Sequence, residues 1–332
     1  MEVTNYKHSF AAHCETGVTS SLLKNEDIQL SESMSLGIGS GLFFMFIPFI
    51  KVMGNPITSY RSIPGSIFKK CCKRLKIDYV SKKFRSQIQG VKTLDALLEK
   101  GTYVGVQTNI YWLPYIPKNF RFHFNAHNLI IIKRERNTYT VSDPLIETLA
   151  ECPSGPMNKA RFSKGPLAPK GFLYYINKNQ KIENIEKAIY KGIKETVKRM
   201  LYIPFPFFGV RGIRYLKKTV NKWFTKLDLK TARLYLISVV RMQEEIGTGG
   251  AGFRFIYASF LNEAGELLAN KTLLESSKEM EHIADQWRSF AVKSVKFCKD
   301  KPGVSLKDIT DSLEEIANLE YDFYKNLEKR YL

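Results

Sequence analysis

The chain has 332 residues, too many for one small core and about right for two domains at roughly 100–200 residues each. A hydrophobic content of 44% with 13% aromatics marks a globular protein with a real core, and 51 basic against 32 acidic residues leave a formal charge of +19. That excess implies an acidic partner without choosing among nucleic acid, an anionic membrane surface and an acidic protein. The five cysteines are odd in number and lack the spacing of a disulfide framework or a zinc site, which Cys71-Cys72 also fails to suit. A reducing, cytoplasmic compartment is the expectation, since the opening MEVTNYKHSF carries no apolar signal core.

Residues 14–24 read as a helix, with Val18, Leu22 and Leu23 at helical spacing behind His13-Cys14-Glu15-Thr16-Gly17. Gly37–Gly41 reads as a tight turn and 42–50 as a buried strand. The run Leu36 to Met53 falls short of the ~20 apolar residues a spanning helix needs and is broken by three glycines and Pro48. A lipid-facing or acyl-chain-lining role is the alternative, so peripheral membrane contact stays open. A basic segment follows (Lys69, Lys70, Lys73, Arg74, Lys76, Lys82, Lys83, Arg85), whose apolar members Ile67, Leu75 and Phe84 let one face pack. It is either a solvated face or a docking surface.

Thr93–Lys100 predicts a short helix with Thr93 as N-cap, stopped by Gly101. Residues 104–113 predict a strand, ended by Pro114 and Pro117. Next come a strand at 126–133, a polar turn at 134–137 and a returning strand at 138–144, a hairpin that brings His127 beside Asp143. Residues 150–170, rich in Pro, Gly, Ser and Lys, predict a linker or a surface loop near the site. Beyond it, 181–200, 212–245, 253–270, 274–299 and 305–329 predict amphipathic helices, with the breakers IPFPFFG (203–209) and GTGGAG (247–252) between them. The organisation expected is an α+β domain over 1–150, a linker over 151–175 and a helical domain over 176–332.

The chemistry follows from three residues. A cysteine at a helix start feels the positive end of the helix dipole, which favours its thiolate. A thiolate nucleophile needs a base, and the base needs an orienter. Cys14, then His127, then Asp143 stand in the papain-like order for acyl transfer. A lone Cys is ordinarily a small buried hydrophobe and a lone His an ordinary core residue; order and hairpin geometry together favour catalysis. Backbone N–H groups at the helix start plus one side-chain donor would hold the oxyanion. His123 and His127 lack a convincing third ligand, so no metal is expected. GTGGAG with Arg254 suits a phosphate or pantetheine contact at a helix N-terminus, but a closely packed helix-connecting turn is the favoured of the two readings. Aromatic residues are not interleaved with basic ones as nucleic-acid stacking requires, so no nucleic acid is expected.

Four stretches resemble one family: HCETGV (13–18) with SLGIGSGL (35–42), VGVQTNIYWLPY (104–115), FNAHNLIII with VSDP (124–132, 141–144), and IGTGGAGFRFIYASFLNEAGELL (246–268). The chain resembles the butirosin biosynthesis protein H type, which has a peptidase C39-like, papain-like N-terminal domain and a helical C-terminal domain. The resemblance implies an acyltransferase that moves an acyl group from the phosphopantetheine thioester of an acyl carrier protein to an amine. No bound cofactor is expected. Cys14 would be the nucleophile, His127 the base and Asp143 the orienter. His8 stands where papain-like enzymes keep an oxyanion glutamine; Gln107 is another candidate donor, and Asn109 and Glu15 are further substrate-side candidates. Phe43, Phe44 and Phe46 would line an acyl pocket. Lys69, Lys70, Lys73, Arg74 and Arg254 would meet an acidic carrier protein, toward which a +19 chain is steered. A cysteine peptidase or amidase on the same triad is the alternative, although missing secretion and transporter segments disfavour a leader-peptide protease.

Overall fold

The structure is a computed structural model that describes residues 5–52, 54–178 and 180–331; Met53, the end of the apolar run, lies outside them. In chain order the elements are α1 (Cys14–Lys24), α2 (Glu32–Ile38), β1 (Leu42–Val52), β2 (Asn55–Arg61), α3 (Ser66–Leu75), β3 (Tyr79–Lys82), α4 (Gln87–Glu99), β4 (Val104–Thr108), β5 (His127–Glu135), β6 (Thr138–Ser142), β7 (Ala150–Pro153), α5 (Ser154–Arg161) and β8 (Leu173–Ile176). Six helices follow: α6 (Ile185–Tyr202), α7 (Gly209–Lys226), α8 (Leu229–Glu244), α9 (Arg254–Leu267), α10 (Lys271–Cys298) and α11 (Leu306–Tyr331). They form two compact units. One comprises residues 1–35 and 71–184, the other 36–70 and 185–332.

The first unit is built on an antiparallel sheet ordered β3-β8-β4-β5-β6-β7. Its central strand β5 begins HNLIII and is buried through those six residues, because helices cover both faces. On one side Leu129 and Ile131 join Leu94 and Leu98 of α4 and Val104 and Val106 of β4. α1 also packs on β5. α4 begins earlier than predicted: Ser86 caps it, while the Thr93 hydroxyl donates to the Gln89 carbonyl from mid-helix. The strand predicted over 104–113 stops at Thr108, where Asn109 caps a short 3₁₀ turn over Ile110–Trp112.

The predicted linker is largely ordered in this unit. β7, α5 and β8 all fall within or beside 150–176, and both strands pair in the sheet. Its Pro and Gly residues punctuate short elements and do not mark a domain boundary.

The second unit packs the six C-terminal helices with the hairpin β1–β2, registered from Leu42↔Arg61 to Val52↔Asn55. The strand expected in the N-terminal domain thus belongs to the helical unit, and only its first part is buried. The Phe44 ring lies 5.3 Å from Tyr60 and 5.9 Å from Trp287; Phe46 lies 5.8 Å from Trp223. The single helix predicted over 212–245 is two, because Asp228 caps α8 by accepting the Thr231 N–H at 2.9 Å.

The loop before α9 has positive φ at Gly249, Gly250, Ala251, Gly252 and Phe253. A side chain at Gly252 would enter the Tyr60 ring, its Cβ only 2.2 Å from the nearest atom, so glycine is required there. Arg254 is fully buried, with Nε 2.9 Å from Glu320 Oε1 and Nη2 3.2 Å from Oε2. It donates to the Gly252 carbonyl at 2.7 Å, and Trp287 Nε1 donates to Glu320 Oε1 at 2.7 Å. Arg254 therefore meets no external phosphate; its charge is neutralised inside the unit. GTGGAG is a packed turn, as the second of its two readings had it. None of the described helices is long and apolar enough to cross a membrane.

Removing one partner of a buried ion pair leaves the other charge uncompensated. Glu320→Ala is expected to lower stability by about 3–5 kcal/mol, measured by denaturant unfolding.

Candidate active site

The site is assembled in the first unit at the start of α1. The His13 backbone is extended, and its Nδ1 accepts the Thr16 N–H at 3.3 Å, so the helix begins at Cys14. Glu32, the first residue of α2, grips the segment before it. Its Oε2 accepts the Ala12 N–H at 3.0 Å and its Oε1 the His13 N–H at 2.7 Å and the Thr16 hydroxyl at 2.8 Å. Burial pushes the Glu32 carboxyl pKa up, although those three donors work against it. Gly17 lets the Asp143 segment approach: a Cβ there would lie 2.5 Å from that of Ala11 and 2.9 Å from that of Pro144. The Ala11 N–H then donates to the Pro144 carbonyl at 3.0 Å.

The hairpin delivers the other two groups. β5 and β6 pair from Glu135↔Thr138 back to Ile130↔Ser142, so the strand start carrying His127 lies beside the strand end leading to Asp143. His127 Nε2 donates to Asp143 Oδ2 at 2.7 Å, with 2% and 0% of the side chains exposed. The ring also hydrogen-bonds the Cys14 side chain. The sulfur sits 3.9 Å from the Ala126 carbonyl and 3.8 Å from Asn128 Nδ2. The three groups inferred from order and turn position therefore converge.

Electrostatics follow from this packing. Burial alone would lower the His127 pKa, but the Asp143 charge, its hydrogen bond and the Cys14 contact outweigh burial and raise it to about 10. Burial would raise Asp143; the His127 cation and its hydrogen bond, the Leu145 N–H at 3.0 Å and the Tyr115 hydroxyl at 2.9 Å hold it below the usual carboxylate range. Burial and the Asp143 charge keep the Tyr115 phenol well above its usual range, so it donates. Burial pushes the other cysteines up, Cys71 and Cys152 to about 12 and Cys298 to about 11, with Cys72 well above its ordinary value. Those thiols stay protonated and unreactive at neutral pH.

Several predicted substrate-side residues have other work. His8 Nε2 donates to the Ile146 carbonyl at 3.0 Å and Nδ1 bonds the Ser142 hydroxyl at 2.7 Å, so both ring nitrogens are engaged. Gln107 Nε2 donates to the carbonyls of Asn125 (2.6 Å) and Leu167 (3.1 Å). Asn109 Nδ2 donates to Asn125 Oδ1 at 2.8 Å and Ser163 Oγ at 2.9 Å. Gln107 and Asn109 brace the loop after α5 against the strand end that carries His127. Glu15 is an acceptor with no exposed surface, unsuited to stabilising an oxyanion.

Asn128 went unpredicted. Its amide donates to the Ala126 carbonyl at 3.0 Å as well as facing the sulfur, and the Tyr174 hydroxyl fixes it from β8 at 2.9 Å. Nothing in the sequence marks it except its place next to His127. Tyr115 and Glu32 carry no local signal either.

Phe43, Phe44 and Phe46 belong to the helical unit, where Phe43 stacks on Phe208 and the other two fill the core described above. An acyl pocket built on them is therefore not what the structure contains. Lys69 and Lys73 are exposed on α3, while Lys70 is ion-paired with Glu195 and Arg74 is half-buried. His123 stacks on Tyr111 at 4.1 Å, and among the described residues no cluster of His, Cys, Asp or Glu could hold a metal.

A His whose folded pKa exceeds its unfolded value of about 6.5 lends stability that is complete below that pH and lost as pH rises toward 10. In Asp143→Asn, burial acts on His127 without the countercharge. Its ring, followed by NMR, is expected to titrate several units lower, and Cys14 acylation at neutral pH to slow about 10²–10⁴-fold.

Two family models cover most of the chain. "Butirosin biosynthesis protein H, N-terminal" matches residues 13–144, and "Domain of unknown function (DUF4872)" matches residues 156–327. The two matches meet between residues 144 and 156, whereas spatial contacts assign residues 36–70 to the helical unit. No curated protein matches the chain. A solved structure from Bacillus anthracis, described as a candidate C39-like peptidase, aligns at 15% identity with a TM-score of 0.40, over 54% of this chain and 98% of its own. The chain belongs to the two-domain butirosin biosynthesis protein H family, and its sheet unit brings Cys14, His127 and Asp143 together.

Proposed function

We propose that this protein is a cysteine-dependent acyltransferase that takes its acyl group from the thioester of an acidic acyl carrier protein and passes it to a small-molecule amine. The observation that carries the reading is the Cys14–His127–Asp143 convergence, in a chain whose N-terminal part matches the butirosin biosynthesis protein H family. A buried carboxylate raises the His127 pKa and the imidazole lies against the sulfur; protonated there, it would stabilise a thiolate and give a leaving thiolate its proton.

In the first half-reaction the Cys14 sulfur attacks the thioester carbonyl. The bond from carbonyl carbon to pantetheine sulfur breaks, and His127 protonates the departing thiolate. In the second, the acceptor amine attacks acyl-Cys14, His127 takes the amine proton, and the carbon–sulfur bond breaks to return the Cys14 thiolate beside the imidazolium. Asp143 stays ionised throughout. Backbone N–H groups at the start of α1 would serve as the oxyanion donors. The Asn128 amide, 3.8 Å from the sulfur, is the side-chain donor nearest to hand in the described contacts. The formal +19 charge favours encounter with an acidic carrier, and exposed Lys69 and Lys73 supply part of a cationic surface.

Intact mass spectrometry of the protein incubated with a panel of acyl carrier thioesters tests this. Wild type should gain the mass of one acyl group, Cys14→Ala should gain none, and adding an amine acceptor should discharge the adduct into an amide. An adduct discharged by water as fast as by any amine would assign the site to hydrolysis. No adduct with any thioester would end the acyltransferase reading.

A further inference from the structure

The helical unit carries a feature that the cysteine chemistry does not use. β1 starts buried and ends exposed: Phe44 and Phe46 have no exposed surface, whereas Phe49, Ile50 and Val52 are 68%, 47% and 41% exposed. The last registered pair, Val52↔Asn55, closes the hairpin, so these side chains lie at its turn end. The loop IPFPFFG is joined to it. The Phe46 N–H donates to the Phe207 carbonyl at 2.9 Å, and the Phe207 ring meets that of Phe49 edge-on at 5.2 Å. Phe205 in that loop is 57% exposed, between exposed Pro204 and Pro206. Two segments some 150 residues apart in sequence thus form one exposed apolar patch, of the kind that marks an interaction surface.

The surroundings are cationic. Neither Leu36–Lys70 nor residues 196–227 contain an Asp or a Glu. On α7, Arg211, Tyr215, Lys218 and Lys222 recur at i, i+4, i+7 and i+11, which puts them on one stripe. Tyr215 in that stripe touches Phe207 at 5.2 Å and Phe46 at 6.2 Å, so the exposed Arg211, Lys218 and Lys222 border the patch. Lys51 rises from the hairpin itself, over the Tyr235 ring. Phe and Ile side chains bordered by Lys and Arg, in two segments that themselves carry no carboxylate, suit a surface of apolar chains under anionic headgroups. The two prolines suit it further, because they bring no N–H that would go unpaired in a dry interface. An exposed apolar patch enters a fluid phase without needing a matching cleft.

We propose that this patch seats the helical unit on an anionic lipid bilayer. Phe49, Ile50, Val52 and Phe205 enter the headgroup–acyl boundary, and Arg211, Lys218 and Lys222 lie on the phosphates. The assignment does not depend on the acyltransferase reading. Cosedimentation of the full chain with vesicles of phosphatidylcholine alone, or mixed with phosphatidylglycerol, tests it. Wild type should pellet with the mixed vesicles and be released by salt. The exposed triple variant Phe49→Ser/Ile50→Ser/Phe205→Ser, its fold checked by circular dichroism, should partition about tenfold or more weakly. Arg211→Ala/Lys218→Ala/Lys222→Ala should lose the preference for anionic vesicles. Failure of wild type to pellet with anionic vesicles overturns the proposal, as does undiminished pelleting of the apolar variant. A dimer in sedimentation velocity, or capture of an acidic carrier protein, that the apolar variant abolishes while vesicles bind neither form would assign the patch to that protein partner and overturn it equally.

Discussion

The buried hydrogen bond between His127 and Asp143 is the constraint on which the candidate site depends. An imidazolium with 2% exposure is tolerable only because a carboxylate with no exposure lies 2.7 Å from it. That carboxylate is in turn held ionised by Tyr115 and the Leu145 N–H. Supporting contacts therefore converge on one charge pair from the strand end, the turn after it and the segment after β4. The sulfur of Cys14 is placed where this pair can act on it by the cap at His13, the Glu32 grip on the preceding backbone and the absence of a side chain at Gly17.

The helical unit solves a related problem for a different end. Arg254 and Glu320 are both fully buried and satisfy each other, with Trp287 and the Gly252 carbonyl taking up remaining hydrogen-bonding capacity. This pair fixes the loop before α9, whose left-handed backbone only closes because Gly252 leaves room for the Tyr60 ring. Its role is architectural: it ties the glycine-rich turn to α10 and α11. Two stretches of this unit, Leu36–Lys70 and residues 196–227, carry basic residues and no acids, and that local asymmetry gives part of the net charge a place to act.

How much was legible from sequence differs by element. The bounds of α1 are legible because Val18, Leu22 and Leu23 recur at helical spacing, a local signal, whereas its His13 cap is seen only in the structure. The His127–Asp143 contact was read because an antiparallel hairpin's turn position dictates which residues lie opposite. Strand 104–113 was overextended because Asn109 hides a 3₁₀ cap inside an apolar stretch. The stretch at 150–170 was mistaken for a linker because prolines and glycines bounding short strands resemble those of loops. The pocket assigned to Phe43, Phe44 and Phe46 failed because burial was legible in those residues, but the identity of their neighbours was not.

Sequence by itself determined the first helix, the central hairpin that sets His127 beside Asp143 and a succession of amphipathic helices, since each rests on spacing within a short window. Tertiary structure alone decided that β1–β2 joins the helical unit, that Arg254 is spent on Glu320, that Gln107 and Asn109 brace a loop, and that Asn128 faces the sulfur. Those outcomes depend on which of several chemically adequate partners arrives from a distant segment. Hydrogen-bonding capacity and apolar surface are written in each residue, whereas the partner that satisfies them is set by how the whole chain packs.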